Sequence, residues 1–311
     1  MAFSRRRKYA GQRCPGHDYC SKCIYHIVLN KREGVPDFSV VVGKIGSREW
    51  PPRVDLLPAG EVIHKALSGL KSHFPFTWII RRCIMPDHVH IALYVREVTD
   101  IHLGTIIKQF KHDCSRGWAE LGYEKEIRLF IDNYHDTFLS GKRQLDSMLS
   151  YISDNPRRHL LRKLNPGWFR HFNITDGEYT FEAYGNWDLL VEPERESVRI
   201  SRAYSAAELL ARKRRWLQTI YNDGVLVSPF ISKEEKRVRD WAYVNGGAVI
   251  YLTHEAFGER FKPSGVSYDV CAEGRLMIVH IPIGEKLDRK ACMQLNGFAE
   301  RIAAGKFRLL G

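Results

Sequence analysis

Residues 79–95, Ile-Ile-Arg-Arg-Cys-Ile-Met-Pro-Asp-His-Val-His-Ile-Ala-Leu-Tyr-Val, are the stretch on which the fold of this chain depends. The run is rich in apolar and β-branched residues, which predicts a buried strand. Because successive side chains of a strand point to opposite faces, His88 and His90 share one face and Val89 points to the other. Two imidazoles on one face can bind one divalent metal ion, although a bare His-x-His pair is more often ordinary core or sheet edge.

The residues around these histidines, Met-Pro-Asp-His-Val-His at 85–90, resemble the Met-Pro-Asn-His-Val-His signature of the single-tyrosine HUH transposases. HUH stands for His-hydrophobe-His, and the resemblance is greatest to the insertion-sequence and REP-associated branch of that family. Residues 151–156, Tyr-Ile-Ser-Asp-Asn-Pro, are similar to the family's Tyr-Ile-x-x-Asn-Pro. Residues 130–138 resemble the aromatic segment that precedes this second motif in family members. The resemblance covers roughly residues 15–165.

The resemblance implies an α+β nuclease domain with a ferredoxin-like sheet. It implies a metal site formed by His88, His90 and Asn155, with Mg²⁺ or Mn²⁺ as the ion, and Tyr151 as the nucleophile. The implied substrate is single-stranded DNA with a hairpin beside the cut. Many family members act as dimers and REP-associated ones can be monomers, so a homodimer is one expectation for this chain. Asp87 stands where the family more usually has Asn, and we expect this difference to be harmless.

Helical spacing agrees with the two roles at 151 and 155. Tyr151 and Asn155 are four residues apart, so on a helix they share one face. Pro156 disfavours the α conformation of the residue before it, which predicts that the helix ends near Asn155. The alternatives are Asp154 and His159 for the third metal ligand and Tyr134 for the nucleophile, with Tyr151 favoured over Tyr134.

The charge of the chain is compatible with a polyanionic partner. There are 48 Lys and Arg residues against 36 Asp and Glu, giving a net charge of +12. A predicted helix over 101–121 has an apolar face, and its basic residues lie mostly off that face. Such residues usually form a solvated surface, but beside a DNA-cutting site they become candidates for phosphate contacts, which contribute affinity rather than sequence choice. The candidate DNA-binding residues are Lys108, Lys111, Arg116, Arg157 and Arg158.

An acidic stretch divides the chain, since residues 171–196 hold seven acidic residues and one basic residue. We therefore predict an HUH domain over 1–170, an acidic linker over 171–200 and a small α/β, Rossmann-like domain over 201–311. In the last part, Ser-Ala-Ala-Glu at 205–208 and Ser-Lys-Glu-Glu at 232–235 are capping boxes that each begin a predicted helix. Residues 226–232 weakly resemble domains related to the DNA-processing protein DprA, but the chain has neither a G-x-G-x-x-G nor a Walker motif, so we predict no nucleotide site.

Cysteine usage indicates a reducing compartment. The chain has seven cysteines, an odd and unevenly distributed number, which favours the cytoplasm. The basic residues 1–8 lead into no apolar segment, so we predict no signal peptide, and no apolar run reaches the ~18–20 residues of a membrane span. A Cys/His cluster recurs at every third position and could bind a metal, although a surface turn with reduced thiols is favoured. Its members are Cys14, His17, Cys20 and Cys23.

The expected function is a metal-dependent transposase, a DNA strand transferase that cuts and rejoins single-stranded DNA through a covalent 5′-phosphotyrosine. Such a link conserves the energy of the broken bond, so rejoining requires no ATP. Two alternatives remain open. The first is a replication initiator or relaxase with the same chemistry. The second is a hairpin-DNA-binding protein that keeps the fold without the cutting activity.

Overall fold

The computed structural model describes residues 14, 16–123, 128–139, 142–201, 203–258, 261–284 and 286–309. The basic residues 1–8, for which we predict no signal function, lie outside the described residues. The chain is a mixture of helices and sheets and divides into two compact units, residues 1–160 and 161–311. Within the described ranges, no helix combines the length and apolar character needed to cross a membrane.

The first unit contains a four-stranded antiparallel sheet with the strand order β4-β5-β1-β6. A separate two-stranded hairpin is formed by β2 and β3. The elements of this unit are β1 (Cys23–Asn30), β2 (Ser39–Val42), β3 (Arg53–Leu56), α1 (Pro58–His73), β4 (Thr77–Ile84), β5 (His88–Val95), α2 (Leu103–Glu120), β6 (His135–Phe138) and α3 (Lys142–Leu164).

The stretch 79–95 is predicted as one strand, but in the structure it forms two strands joined as a β-hairpin. The prediction of a single continuous strand was therefore wrong. Strand β4 ends at Ile84 and β5 begins at His88, and the backbone N–H of Met85 donates to the carbonyl of His88 at 2.8 Å. Pro86 has no N–H to contribute to a ladder and Asp87 favours turns, which explains the break. The histidines therefore lie at the start of a strand, beside a tight turn.

The two faces of this sheet pack against different helices. On β5, Val89, Ile91 and Leu93 belong to a core cluster shared with α1 and α2, whereas Ala92 belongs to a second cluster with residues of α3. His90 is two residues from Ala92, so it lies on the α3 face. The alternation of side chains along one strand thus separates the histidines from α1 and α2 and directs them toward α3.

The sequence predicts that helix α3 ends near Asn155, but the helix continues through Pro156 to Leu164. A proline inside a helix leaves the carbonyl four residues earlier without its usual N–H donor, and here that carbonyl belongs to Ile152. The side-chain amide of Asn155 donates to the carbonyl of Tyr151 at 2.9 Å and contacts that of Ile152 at 3.5 Å. Asn155 therefore supplies part of the hydrogen bonding that Pro156 removes, and the helix persists.

The second unit is built on a seven-stranded mixed sheet with the order β13-β7-β8-β12-β11-β10-β9. Strands β9 to β12 are parallel, and β8, β7 and β13 extend the sheet by antiparallel pairs. Side chains of α4, α5 and α6 pack on one face and those of α7 on the other. The elements are β7 (His171–Thr175), β8 (Thr180–Gly185), β9 (Arg195–Ser197), α4 (Ala206–Tyr221), β10 (Val225–Ser228), α5 (Lys233–Val244), β11 (Ala248–Thr253), α6 (Val266–Ala272), β12 (Leu276–His280), α7 (Arg289–Ala303) and β13 (Arg308–Leu309).

Residues 171–200, predicted as an acidic linker, instead contain β7, β8 and β9 of this sheet. The prediction was wrong because it considered only the acidic residues, whereas the apolar residues between them are buried. Ile174, Phe181 and Ala183 belong to the core beneath α7.

The two predicted capping boxes are confirmed. Ser205 with Glu208 begins α4, and Ser232 with Glu235 begins α5.

Candidate active site

The centre of the candidate site is a pair of facing imidazoles. His88 and His90 lie on one face of β5, and their Nε2 atoms are 3.0 Å apart. The two rings are nearly perpendicular, with centroids 4.7 Å apart. The placement of both imidazoles on one face of the strand agrees with the two-residue repeat of the sequence.

Each of these histidines has a second partner on its other ring nitrogen. The Nδ1 of His88 is 2.6 Å from a carboxylate oxygen of Asp87, and the Nδ1 of His90 is 3.0 Å from the Nε2 of His26. The hydrogen bond from His88 is the main cause that lowers the pKa of Asp87 to about 2. His26 was missed by sequence reasoning because it lies on β1, opposite Ala92 in the antiparallel register. His26 lies between Tyr25 and Ile27, which are both buried, so its side chain faces away from the helical core. This alternation is the feature of the sequence from which His26 could have been identified.

His90 is buried and electrically neutral at physiological pH. It is only 3% exposed. Burial is the largest cause that lowers its pKa to about 2, followed by the neighbouring His88 and His26. A neutral imidazole keeps a lone pair on one ring nitrogen, and a lone pair is what a metal ion requires of a histidine ligand.

Tyr151 lies on the face of α3 that is turned toward these histidines. Its ring is 5.4 Å from that of His90 and 6.1 Å from that of His26, in both cases edge to face. The next residue, Ile152, is fully buried against the sheet, which fixes the rotation of the helix. Tyr151 is 39% exposed, so solvent and an incoming substrate can reach it. The guanidinium of Arg158 lies 5.3 Å from the centre of the Tyr151 ring.

Asn155 is buried one turn further along α3 and its side chain is hydrogen-bonded to His90. Its amide nitrogen donates to helix carbonyls, so the side-chain oxygen is the group left for His90. The structure thus brings together the four residues predicted for catalysis and metal binding: His88, His90, Tyr151 and Asn155.

The donor atoms at this position fit a divalent cation. Two nitrogens 3.0 Å apart can both lie about 2.1 Å from one ion, the distance typical of a small divalent metal. Among the described residues, no three His, Cys, Asp or Glu side chains are grouped as a metal site. The amide oxygen of Asn155, hydrogen-bonded to His90, is a further oxygen donor at this position. Imidazoles with an amide oxygen suit Mn²⁺ better than Mg²⁺, which prefers oxygen alone.

The predicted DNA-binding residues of α2 are not part of this site, since α2 packs on the opposite face of the sheet. The ammonium of Lys111 donates to the carbonyls of Ile131 and Asp132 at 2.6 and 2.8 Å, so it holds a loop. Arg116 lies 3.4 Å from Asp113, and Lys108 is exposed. The residues of α2 are therefore separated from the histidines by the sheet.

The remaining candidates on α3 differ in what they contact. Arg157 forms two hydrogen bonds with Asp154, at 2.6 and 2.8 Å, so both are engaged with each other. Arg158 is the predicted DNA-binding residue that the structure places against Tyr151. His159, the other alternative third ligand, lies near Asp87 and contributes to lowering the pKa of that carboxyl.

The alternative nucleophile and the alternative metal cluster lie elsewhere in the first unit. Tyr134 packs against the core shared with α1 and α2, the face opposite to the histidines. In the Cys/His cluster, His17 stacks on Phe138 at 4.0 Å, and its Nε2 is 3.0 Å from the hydroxyl of Tyr25. The ring of His17 is therefore engaged in packing and in a hydrogen bond to a tyrosine.

Comparison with known proteins adds little to this geometry. No family model matches the sequence, and no curated protein matches it. Among solved structures, one described as "Structure of the REP associates tyrosine transposase bound to a REP hairpin" is similar over 46% of this chain and 72% of that chain, with 15% identity and a TM-score of 0.32. A similarity of this size defines neither the family nor the activity of the present chain.

Proposed function

We propose that this protein is a metal-dependent DNA strand transferase, a transposase that cuts and rejoins single-stranded DNA beside a hairpin through a tyrosine nucleophile. The observation that carries the proposal is the position of Tyr151, which is exposed and lies edge-on to His90 beside two converging imidazole nitrogens. A half-exposed tyrosine next to two histidines whose Nε2 atoms face each other is a combination that packing alone does not require.

The proposed domain types follow from strand order. The order β4-β5-β1-β6, with α1 and α2 packed on one face, supports a ferredoxin-like βαββαβ domain for the first unit. In the second unit, four adjacent parallel strands with helices on both faces support a Rossmann-like domain. We assign the chemistry to the first unit, because Tyr151 and the histidines all belong to it.

The chemistry assigned to the site is a transesterification at phosphorus. The hydroxyl oxygen of Tyr151 attacks the scissile phosphate and loses its proton to solvent. The bond from phosphorus to the 3′ oxygen breaks, and that oxygen takes up a proton to leave a free 3′ hydroxyl. The DNA on the other side of the cut stays attached to Tyr151 as a 5′-phosphotyrosine. Attack by the free hydroxyl of another strand on this phosphotyrosine reverses the step and rejoins DNA.

The residues around Tyr151 have separate roles in this reaction. His88, His90 and Asn155 would hold the divalent ion, which when bound supplies positive charge against the charge that develops on the phosphate. Arg158 places a guanidinium beside the tyrosine ring, where it can also contact an approaching phosphate. The burial of Ile152 keeps the helix in the rotation that directs Tyr151 to the histidines.

The experiment is a covalent-adduct assay with Mn²⁺ and single-stranded DNAs that carry candidate hairpins and a 5′ extension. The wild-type protein is expected to form a protein–DNA adduct that survives denaturing electrophoresis and disappears on chelation of the metal. Tyr151→Phe should form none, whereas Tyr134→Phe, a matched change on the opposite face of the sheet, should retain it. An adduct that persists in Tyr151→Phe would refute the assigned nucleophile. Tight, salt-sensitive hairpin binding without any adduct would favour the non-catalytic binding protein.

A further inference from the structure

We infer that Asp87 and His26 are positioning residues that set which ring nitrogens of His88 and His90 carry protons, so that both Nε2 atoms can face one cation. The inference rests on the metal site in the proposed function and extends it to Asp87 and His26, the two residues that contact the outer ring nitrogens of the proposed ligands. The geometry that carries it is a continuous chain of side chains, with Asp87 at one end, the two histidines in the middle and His26 at the other end.

The Asp87 end of the chain determines the state of His88. An ionised carboxylate has no proton to donate, so across the 2.6 Å contact the Nδ1 of His88 must be the donor. A neutral His88 with its proton on Nδ1 has a lone pair on Nε2, which is the atom that faces His90. Asp87 therefore does more for the site than the asparagine expected from the sequence resemblance, because a full negative charge makes a stronger hydrogen bond than a neutral amide.

The His26 end of the chain determines the state of His90. Without a cation, the lone pair on His88 Nε2 accepts a proton from His90 Nε2, so His90 Nδ1 must in turn accept one from His26 Nε2. For His90 to offer Nε2 to a cation, its proton has to reside on Nδ1. His26 Nε2 is then the acceptor of that proton, with the proton of His26 on its own Nδ1. Each imidazole keeps one proton throughout, so the exchange leaves the charge of both rings unchanged.

Backbone pairing holds these partners in place. His26 lies on β1, whose ladder with β5 pairs it with Ala92 and pairs Val28 with His90. Asp87 is fixed by the hairpin turn, where its own carbonyl accepts from the N–H of Lys31 at 2.8 Å. Both outer partners therefore belong to the sheet and its tight turn rather than to a mobile loop. Partners of this kind typically change metal affinity by 10–100-fold when removed.

The first test reads the tautomers directly, in the metal-free protein. Long-range ¹H–¹⁵N correlation spectra at pH 7.5 should show His88 protonated on Nδ1 in the wild type. In Asp87→Ala the proton should move to Nε2, the nitrogen that carries it in most unconstrained imidazoles. Asp55→Ala, which removes an exposed carboxylate paired with Arg53 on the neighbouring hairpin, serves as the control. A His88 tautomer that is the same in the wild type and in Asp87→Ala would overturn the role of Asp87.

The second test measures Mn²⁺ affinity by calorimetry, with no DNA present. Asp87→Ala and His26→Phe should each bind Mn²⁺ about 10–100-fold more weakly than the wild type. Asp87→Asn and His26→Gln, which retain an oxygen acceptor, should lose less. His112→Phe, a change at an exposed histidine of α2 on the opposite face of the sheet, should bind as the wild type does.

The outcomes separate this inference from the proposed function. Mn²⁺ binding that His90→Ala abolishes, but that Asp87→Ala and His26→Phe leave unchanged, would overturn the positioning roles and leave the proposed metal site standing. A wild-type protein that binds no Mn²⁺, or a His90→Ala variant that binds it equally well, would refute the metal site and the positioning roles that depend on it. Loss of affinity in both outer variants, with partial recovery in the conservative ones, is the result that we expect.

Discussion

Replacing Asn155 with alanine tests whether its side chain substitutes for the backbone N–H that Pro156 lacks. The carbonyl of Ile152 is four residues before Pro156, and the amide nitrogen of Asn155 is its contact at 3.5 Å. The same nitrogen donates to the carbonyl of Tyr151 at 2.9 Å. Because Asn155 is only 4% exposed, water cannot readily take the place of this amide in the variant.

The magnitude follows from these contacts. A buried carbonyl left without a partner costs about 1–3 kcal/mol. The 3.5 Å contact is long, which favours the lower part of that range, and alanine regains roughly 0.5 kcal/mol of helix propensity relative to asparagine. We therefore expect Asn155→Ala to lower the free energy of unfolding by about 1 kcal/mol. In a Pro156→Ala background the restored N–H can bond to Ile152, so the same change should cost about 1 kcal/mol less than it does in the wild type.

The assay is a double-mutant cycle on the intact chain in the presence of EDTA, which removes any contribution of a bound cation. Urea denaturation followed by circular dichroism gives the free energies, and hydrogen exchange of peptides from α3 assigns the change to this helix. The coupling between the two substitutions should be about 1 kcal/mol. A coupling below roughly 0.3 kcal/mol, the range in which independent sites are additive, would refute the reasoning.

Three further predictions concern the site and its surroundings. Ile152→Ala should lower the free energy of unfolding by about 2–5 kcal/mol in urea denaturation, since this side chain is fully buried. It should also reduce adduct formation by loosening the adjacent Tyr151. A decrease in unfolding free energy below ~1 kcal/mol would contradict this packing role. Lys111→Ala should destabilise the chain by about 1–2 kcal/mol, because its ammonium donates hydrogen bonds to loop carbonyls. The same change should leave the salt dependence of DNA affinity unchanged. A weaker dependence of DNA affinity on salt in the variant would instead identify Lys111 as a phosphate contact. Burial lowers the pKa of His90 to about 2, so the unfolded chain takes up a proton there that the folded chain excludes. Stability in EDTA should therefore fall as the pH decreases below about 6.5, and His90→Gln should flatten that dependence in denaturation curves between pH 7 and 4; an equally steep fall in the variant would contradict the assignment.

Short-range periodicity explains which parts of the site were predictable. The two-residue repeat of a strand places His88 and His90 on one face, whichever elements surround that strand. The four-residue spacing on a helix does the same for Tyr151 and Asn155. The two capping boxes were equally readable, because an N-cap residue and its partner are only three positions apart in sequence.

Three errors arose where the outcome depended on a compensating contact or on burial. Pro156 does favour a helix end, but the side chain of its neighbour Asn155 replaces part of the missing hydrogen bonding. Pro86 and Asp87 divide the expected single strand into a hairpin, although the apolar residues on both sides are buried. The acidic stretch 171–200 joins a sheet because its interspersed apolar residues are covered by helix α7. Charge and local propensity do not report such contacts.

By itself, the sequence determined the pairs that share a face within one element: the two histidines of β5, and the tyrosine and asparagine of α3. Only the tertiary structure decided how separate elements meet. It brought His26 from β1 to His90, turned α3 toward the histidines, and packed α2 with Lys108, Lys111 and Arg116 on the other face of the sheet. The physical reason is that a repeat of two or four residues relates neighbours along the backbone, whereas contacts between strands and helices depend on sheet register and on which face the core covers.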